Sequence, residues 1–251
     1  MYTIRPLLVG EFPRFELSIF VLGLDPGTKV RAPCIVWLIE GERGEKVLVD
    51  TGPHAADAPT AHYHNKLEQR EEHKLDRALK AAGVEPEEIQ TVLFTHLHWD
   101  HCYHPSRLPN ARFYVQAQEL AYAVAPIPWH RSAFESGIPE GNPPWFEVFN
   151  RITPVDGDFE VLPGVVYHLL PGHTPGSAGI TVKTRQGVYC IAGDTVPRME
   201  NWEGNPKQRH IPSALVTDTI AYYRSFEKME QIADRVLPSH DPRAFDQAIY
   251  P

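Results

Sequence analysis

The sequence predicts a mixed α/β (α+β) fold in which two β-sheets pack against each other and helices cover their outer faces. Two observations support this prediction. Strands followed by a helix occur in the first half of the chain, and the same order returns in a comparable second half, which is typical of layered sheets with helices outside. The chain has 251 residues and 42% hydrophobic content, enough to bury the core of one domain spanning residues 1–251.

The first half begins with three short segments that are typical of strands, because they are rich in Val, Ile and Leu and are separated by Gly, Pro and charged residues. They lie at 15–22, 34–39 and 46–50. Residues 66–82 are predicted to form a helix, because apolar residues recur at helical spacing and Gly83 follows where a C-cap belongs. The apolar stripe consists of Leu67, Leu75, Ala78, Leu79 and Ala82.

The remaining elements follow the same criteria. A strand at 111–115 precedes a short helix at 117–125. A longer helix is predicted at 218–233, with one apolar side made of Ile220, Tyr223, Phe226 and Ile232. The strands of the second half are predicted at 159–162, 165–170, 179–183, 188–192 and 235–237.

Between the two halves, residues 126–152 lose all periodicity and are rich in proline, with Trp129 and Trp145 among them. Loops of this length are uncommon in compact domains unless they bind ligands, act as lids or are disordered. The aromatic content disfavours disorder. We therefore predict an inserted segment at about 126–152 that roofs a pocket, with plain surface packing as the alternative.

Composition disfavours several classes of function. The net charge is −8, from 24 Lys+Arg against 32 Asp+Glu, and no basic block is present, so nucleic acid is not an expected partner. No apolar stretch approaches the ~18 residues of a transmembrane helix, and the run 17–24 lacks the features of a signal peptide. Cys34, Cys102 and Cys190 do not describe a disulfide framework. We expect a cytoplasmic protein without membrane contact. The oligomeric state is open, with a homodimer among the options.

Residues 95–101, Thr-His-Leu-His-Trp-Asp-His, concentrate metal-binding capacity in one loop. Three imidazoles and a carboxylate lie within six residues, directly after the apolar run 91–94. Imidazole nitrogen and carboxylate oxygen suit divalent ions such as zinc, manganese or iron. A histidine-rich surface turn is the alternative, but the number of ligands and their position after a strand favour a metal site.

Three more candidate ligands follow strand ends elsewhere in the chain. His173, Asp194 and His240 each come after an apolar strand, in turns containing Gly, Pro or Ser. Loops at strand ends hold side chains rigidly and often carry the chemistry. Seven ligands exceed the needs of one four-coordinate ion and fit two ions that share a carboxylate and a bridging hydroxide. The predicted ligands are His96, His98, Asp100, His101, His173, Asp194 and His240.

On these residues the chain resembles the metallo-β-lactamase-fold hydrolases over nearly its whole length. It resembles the N-acyl homoserine lactonase group more than others, through the stretches 97–101, 109–115, 170–177 and 239–243. The resemblance implies a four-layer αββα sandwich and two divalent metal ions, zinc first, with cobalt, manganese or iron as alternatives. It also implies that one ion is held by His96, His98 and His173 and the other by Asp100, His101 and His240, with Asp194 bridging.

The same resemblance implies a hydrolase that opens a lactone by attack of a metal-bridging hydroxide on the ring carbonyl. Asp100 is the expected catalytic residue, as the proton shuttle to the leaving oxygen. The expected substrate is a small, largely apolar lactone of the N-acyl homoserine type, so the activity would be quorum quenching. Asp194 replaces the Cys ligand of certain zinc β-lactamases, which disfavours β-lactam hydrolysis. The predicted substrate pocket contains Trp99, Trp129, Phe134, Trp145, His210 and Tyr223.

Two positions depart from the lactonase pattern. The group usually has a Tyr three residues after the bridging Asp, where it is thought to hold the substrate carbonyl, and this chain has Pro197 there. Tyr222, Tyr223, His210 or a residue of the roofing segment would replace that Tyr, or else the substrate differs. His104 stands where small residues are common, either as a partner of a metal ligand or as a packed neighbour.

Other functions stay open at this point. A glyoxalase-II-like thioesterase or another carboxylic-ester hydrolase shares the ligand set, although no basic cluster for a glutathione moiety is obvious. A di-iron redox module would need a flavodoxin partner domain, and a non-enzymatic binding protein would not need the intact ligand set. Cys102 is expected to be a packed thiol and not a nucleophile. His54, His62 and His64 are expected to be exposed, with His62 or His64 bordering a pocket as the alternative.

Overall fold

The computed structural model describes residues 1–139 and 142–251 and contains two β-sheets. The first sheet has six strands in chain order, antiparallel from the first to the third and parallel from there on. Its strands are β1 (Tyr2–Glu16), β2 (Lys29–Gly41), β3 (Lys46–Val49), β4 (Thr91–Leu93), β5 (Arg112–Gln116) and β6 (Ile152–Val155).

The second sheet has five strands and runs in the order β11-β10-β9-β8-β7. Its members pair antiparallel, except that β10 and β11 are parallel. The strands are β7 (Phe159–Leu162), β8 (Val165–Leu169), β9 (Ala178–Thr184), β10 (Gly187–Ile191) and β11 (Arg235–Leu237).

Six α-helices accompany the sheets within the described residues. The longest, α6, packs on the second sheet, and α2 packs on the first. The helices are α1 (Leu17–Phe20), α2 (Leu75–Ala81), α3 (Ala117–Val124), α4 (Arg131–Phe134), α5 (Met199–Glu203) and α6 (Thr219–Ile232).

Three apolar layers hold these elements together. Along β2, Ile35, Trp37 and Ile39 face the second sheet, while the alternate residues Val36 and Leu38 face the helical side. This alternation follows from the two-residue period of a strand, and it shows that β2 is buried on both faces. Helix, sheet, sheet and helix therefore form four layers, and the predicted αββα sandwich is confirmed.

The N-terminal third differs from its prediction. β1 begins at Tyr2, although Pro6 and Pro13 discourage a strand assignment; β1 is an edge strand, where proline is tolerated. The predicted strand at 15–22 is wrong beyond Glu16. The Glu16 carboxylate accepts hydrogen bonds from Ser18 Oγ and the Gly27 backbone N–H, which stabilise a turn into α1.

Two helix predictions also need correction. The helix predicted at 66–82 is confined to Leu75–Ala81, because Glu68 pairs through its backbone with Glu11 of β1 and is thereby held extended. In α6 the buried side consists of Tyr222, Ser225, Phe226 and Met229, whereas Ile220 is 67% exposed. The predicted apolar side of that helix is therefore rotated relative to the observed one.

The proposed roofing segment at about 126–152 contains α4 and a 3-10 helix at Pro144–Arg151, and it leads into β6. Residues 140 and 141 of this segment lie outside the described residues. Within the described part of the chain, no helix is long and apolar enough to cross a membrane.

Candidate metal centre and substrate cavity

Two buried carboxylates fix the loop that carries the His-rich motif. Asp50, directly after β3, accepts hydrogen bonds from the backbone N–H and the hydroxyl of Thr95, at 2.7 and 2.8 Å. Glu119 of α3 accepts a bond of 2.9 Å from the Leu97 backbone N–H. The parallel strands β3 and β4 bring Asp50 beside the motif, so sheet topology and two buried acceptors position the loop.

The motif contributes to two adjoining groups of ligand atoms. His96, His98 and His173 form the first group, with ligand atoms within 4.8 Å of one another. Nε2 of His173 lies 3.1 Å from Nδ1 of His98. Asp100, His101 and His240 form the second group within the same limit, and the Nε2 atoms of His101 and His240 are 3.3 Å apart.

Asp194 lies between the two groups and presents one carboxylate oxygen to each. Its Oδ2 is 3.5 Å from Nε2 of His173 and 3.9 Å from Nε2 of His96. Its Oδ1 is 3.3 Å from Nε2 of both His101 and His240. All seven predicted ligands thus lie close together at the strand ends, and a third group of His96, His101 and Asp194 connects the first two.

Hydrogen bonds to the opposite ring nitrogen orient four of these imidazoles. Nδ1 of His101 donates to Asp50 at 2.8 Å, and Nδ1 of His96 lies 3.0 Å from the Thr95 hydroxyl. Nδ1 of His173 donates to the Leu215 carbonyl, and Nδ1 of His240 donates to the Pro33 carbonyl. Such bonds leave Nε2 as the ligand atom, which is the usual arrangement around protein-bound metals.

The site fits a pair of divalent cations on observations of its own. Nε2 of His96 is buried and has no hydrogen-bond partner in the described part of the chain. Burial is the main cause that lowers the pKa of His96 and His98 well below the usual range, and neighbouring histidines lower it further. Both rings are therefore neutral, as ligation requires. Burial would raise the pKa of Asp194, but His101 and His240 outweigh it and keep this carboxylate ionised.

A cavity of about 170 Å³ opens onto the ligand groups. Phe12, Phe15, Phe20 and Trp99 give it an aromatic wall, and Asp100 lines it as well. A second cavity, of about 390 Å³, shares His98, Ser132, Ala133, His173 and Leu215 with the first. No lysine or arginine is among the described residues that line either cavity.

Two of the predicted pocket residues line these cavities, and a third packs against a candidate ligand next to them. Trp99 lines the first cavity, and Trp129, a residue that is 81% exposed, lines the second. Phe134 is fully buried and meets the His98 ring edge-on, with ring centroids 4.7 Å apart. Phe134 therefore packs against a candidate ligand without lining either cavity, and its assignment to the pocket is corrected.

The other three predicted pocket residues do not line these cavities, and their assignment is corrected. Trp145 is buried against Phe146 and Phe149. His210 hydrogen-bonds the Trp202 carbonyl and the Glu230 carboxylate. Tyr223 packs on Phe226. Each aromatic ring has packing partners of its own, which composition alone does not reveal.

Pro197 lines the first cavity, but the suggested replacements Tyr222, Tyr223 and His210 do not. The Tyr222 hydroxyl donates to the backbone carbonyls of Asp194 and Thr195 and is fully buried. Cys102 is also fully buried, and burial raises its pKa well above the usual range, so it is a packed thiol. Among the described residues, no hydrogen bond joins His104 to a candidate metal ligand.

Sequence reasoning missed a buried group beside Trp99. His54 and His64 both stack on the Trp99 ring, at 4.4 and 4.1 Å between centroids. His54 is 1% exposed, and the His64 side chain is 3% exposed and bonded to Glu135 at 2.7 Å. The expectation that His54 is exposed is therefore wrong, whereas His64 does line the first cavity. The partner Glu135 is distant in sequence, so local patterns could not reveal the pair.

An αββα sandwich with two adjoining groups of His and Asp ligands at its strand ends has the architecture of a metallohydrolase. The chain belongs to the Metallo-beta-lactamase superfamily: the family Lactamase_B, described by that name, matches residues 31–240.

Proteins of similar sequence include enzymes named N-acyl homoserine lactonase. The N-acyl homoserine lactonase AiiA of Bacillus thuringiensis subsp. kurstaki is 29% identical over 219 residues, which cover 83% of this chain and 82% of that protein. The N-acyl homoserine lactonase AttM of Azorhizobium caulinodans is 26% identical over 235 residues, covering 87% and 86%. The predicted resemblance to this group is confirmed, and with it the enzyme class, a metal-dependent hydrolase acting on ester bonds.

Solved structures share the fold. A mutant of B. thuringiensis AiiA with N-decanoyl-L-homoserine at its active site has a TM-score of 0.76 at 22% identity, covering 97% of this chain and 95% of that one. AidC, a dizinc quorum-quenching lactonase in complex with a product, has a TM-score of 0.68 at 17% identity, covering 96% and 88%.

Proposed function

We propose that this protein is a dinuclear-metal-dependent hydrolase that opens the lactone ring of N-acyl homoserine lactones. The observation that carries this proposal is the position of Asp194, whose two carboxylate oxygens face two separate ligand groups. One oxygen for each group is the arrangement expected of a carboxylate that bridges two ions. The relatives named N-acyl homoserine lactonase support the choice of substrate.

Seven nitrogen and oxygen donors suit zinc, and they accommodate cobalt, manganese or iron as well. His96, His98 and His173 would hold one ion, and Asp100, His101 and His240 the other. When two such ions are bound, they supply hydroxide near neutral pH and polarise a carbonyl oxygen.

Asp100 is the proposed catalytic residue of the protein itself. Its Oδ2 lies 3.6 Å from Nε2 of His240, and the residue lines the cavity. A carboxylate there can receive a proton from the attacking water and deliver it to the alkoxide that leaves when the ring C–O bond breaks. Ring opening therefore needs no protein nucleophile.

The cavity walls favour an apolar acyl substrate over a glutathione thioester. The first cavity has an aromatic wall, and Trp129 and Pro128 line the second. A glutathione moiety carries carboxylates, which bind to Lys or Arg, and neither residue type is among the described lining residues. If the predicted lactone is the substrate, the biological effect is quorum quenching.

The test compares two substrates on one zinc-loaded preparation. We expect turnover of an N-acyl homoserine lactone, loss of that turnover after chelation, and recovery with zinc, cobalt or manganese. Asp100→Asn should lose at least about a hundredfold in kcat, the scale of general acid–base catalysis, and the rate is compared at saturating zinc because Asp100 is also a candidate metal ligand. Faster turnover of a glutathione thioester than of the lactone would overturn the proposal.

A further inference from the structure

His64 occupies the wall of the substrate cavity without belonging to either group of candidate metal ligands. It lies in the stretch between β3 and α2 and lines the first cavity together with Trp99 and Asp100. Its side chain is 3% exposed, so the fold holds the imidazole in place. A buried imidazole that borders a substrate cavity and has no ligand role invites a separate explanation.

Two contacts fix the orientation of this ring. The His64 ring stacks on Trp99 with centroids 4.1 Å apart and planes at 18°, which sets the plane of the imidazole. Nε2 of His64 lies 2.7 Å from Oε1 of Glu135, which sets the rotation of the ring within that plane. Together these contacts determine the direction of every ring atom.

Glu135 is itself held as an acceptor. Its Oε2 accepts a hydrogen bond of 2.5 Å from the Tyr103 hydroxyl, which also lies 3.0 Å from the Thr60 hydroxyl. Burial alone would raise the pKa of Glu135, but the hydrogen bonds from His64 and Tyr103 outweigh it and lower that pKa. Glu135 also adopts a left-handed backbone conformation, with φ of 51°, which is uncommon for a non-glycine residue.

The Glu135 carboxylate determines which ring nitrogen of His64 carries the hydrogen of their shared bond. A carboxylate can only accept, so Nε2 of His64 is the donor, and in the tautomer with its single hydrogen on Nε2, Nδ1 keeps its lone pair. Within residues 1–139 and 142–251, Nδ1 of His64 has no hydrogen-bond partner. The nitrogen that remains for a ligand in this cavity is therefore an acceptor.

We propose that Nδ1 of His64 accepts a hydrogen bond from the amide N–H of the acylamino substrate, and that Glu135 is the positioning residue that holds the ring for this contact. The choice of probe rests on the proposed function. The contact distinguishes an α-acylamino lactone from an α-alkyl lactone of the same length, because only the former has an N–H to donate. His64 would thus be a specificity residue for the amide linkage.

Two substitutions at His64 test the contributions of its two ring nitrogens separately. His64→Gln can keep an N–H toward Glu135 and removes the acceptor at Nδ1, whereas His64→Asn keeps a polar atom near Nδ1 and loses the contact with Glu135. His168→Gln is the matched control, because His168 also pairs with a carboxylate, Asp158, at 2.9 Å but lies on β8 outside the cavity.

The experiment measures binding of hydrolysis-resistant lactams to the zinc-loaded protein by calorimetry. The probes are an α-hexanoylamino-γ-butyrolactam and an α-alkyl-γ-butyrolactam of equal length. We expect His64→Gln to raise the Kd of the acylamino lactam about three- to tenfold, the range for one neutral hydrogen bond, and to leave the alkyl lactam within about twofold. His64→Asn should retain part of the preference, and His168→Gln all of it.

The outcomes distinguish this inference from the proposed function. Equal weakening of both lactams by His64→Gln, an unchanged preference, or no binding of either lactam to the wild type would overturn the role of His64. If the wild type shows the His64-dependent preference but opens neither corresponding lactone, the proposed function fails and the amide contact stands. If the contact between His64 and Glu135 only stabilised the fold, His64→Gln would not change the ratio of the two Kd values.

Discussion

The hydroxyl of Tyr222 donates a hydrogen bond of 2.6 Å to the backbone carbonyl of Asp194, and a second of 3.1 Å to that of Thr195. This tyrosine, on α6, thereby fixes the backbone of the residue whose carboxylate faces both ligand groups. Pro197 lines the first cavity, whereas Tyr222 supports the Asp194 backbone from outside that cavity.

Tyr222→Phe should lower the free energy of unfolding by about 1–2 kcal/mol, because two buried carbonyl oxygens lose their donor. Tyr223→Phe, on the same helix, should change it by no more than about 0.5 kcal/mol, as for most surface substitutions. Urea unfolding of both variants is the measurement. Unchanged stability of Tyr222→Phe together with weaker lactone binding would show instead that this hydroxyl reaches the substrate.

Asp50→Asn should weaken the binding of one divalent ion about 10–100-fold, the usual effect of removing an outer hydrogen bond to a ligating histidine. The reason is the 2.8 Å contact between Asp50 and Nδ1 of His101, which aims Nε2 of that ring at the second ligand group. Competition with a chelator measures the affinity. Asp57→Asn, at an exposed position, is the control, and equal metal retention by both variants would contradict the assignment.

Glu119 should make stability depend on pH. Burial raises its pKa from 4.5 to about 7, although hydrogen bonds from Thr174, Leu97 and Gly176 act in the opposite direction. The folded state therefore favours the protonated carboxyl. Its contribution to stability is fully present below pH 4.5 and is lost as the pH rises through 7.

Glu119→Gln removes this titration. The stability of the wild type relative to the variant should fall between pH 4.5 and pH 8 by on the order of 3 kcal/mol, since each pKa unit is worth about 1.4 kcal/mol. Unfolding in urea at both pH values measures the difference, and the remaining titratable groups cancel between the two proteins. A difference that stays constant or grows with pH would show that Glu119 is ionised in the fold.

Trp129→Ala should raise KM for long-chain substrates more than for short ones, by about tenfold at the longest chain, the equivalent of roughly 50 Å² of lost apolar contact. Trp129 lines the second cavity, where an acyl chain extending past His98 and His173 would lie. Phe146→Ala, exposed in the same segment but outside both cavities, is the control. An equal effect at every chain length would place the acyl chain elsewhere.

The sequence was sufficient to predict the layers and the candidate ligands, because both depend on local patterns. Apolar alternation identifies the strands, and the His and Asp residues that follow the strand ends mark the candidate ligand positions. Parallel pairing of neighbouring strands then brings those ends to one edge of the fold.

The features that the sequence did not predict depend on contacts between residues that are far apart in the chain. Asp50, Glu119 and Glu135 have no local signature, since their partners lie 45, 22 and 71 residues away. Trp129 and Trp145 belong to the same irregular segment, yet one is exposed at a cavity and the other is buried against phenylalanines. From composition, both tryptophans were predicted to belong to the substrate pocket. Only their packing in the fold distinguishes them.

The central claim, a lactonase that needs two metal ions, is tested most directly by zinc titration of the metal-free protein. The measurement is the rate of acid release from an N-acyl homoserine lactone as zinc is added in steps. We predict that activity rises and saturates at about two equivalents per chain, as a two-metal hydrolytic site requires. Saturation at one equivalent, or no acid release from protein that has bound both ions, would contradict the account.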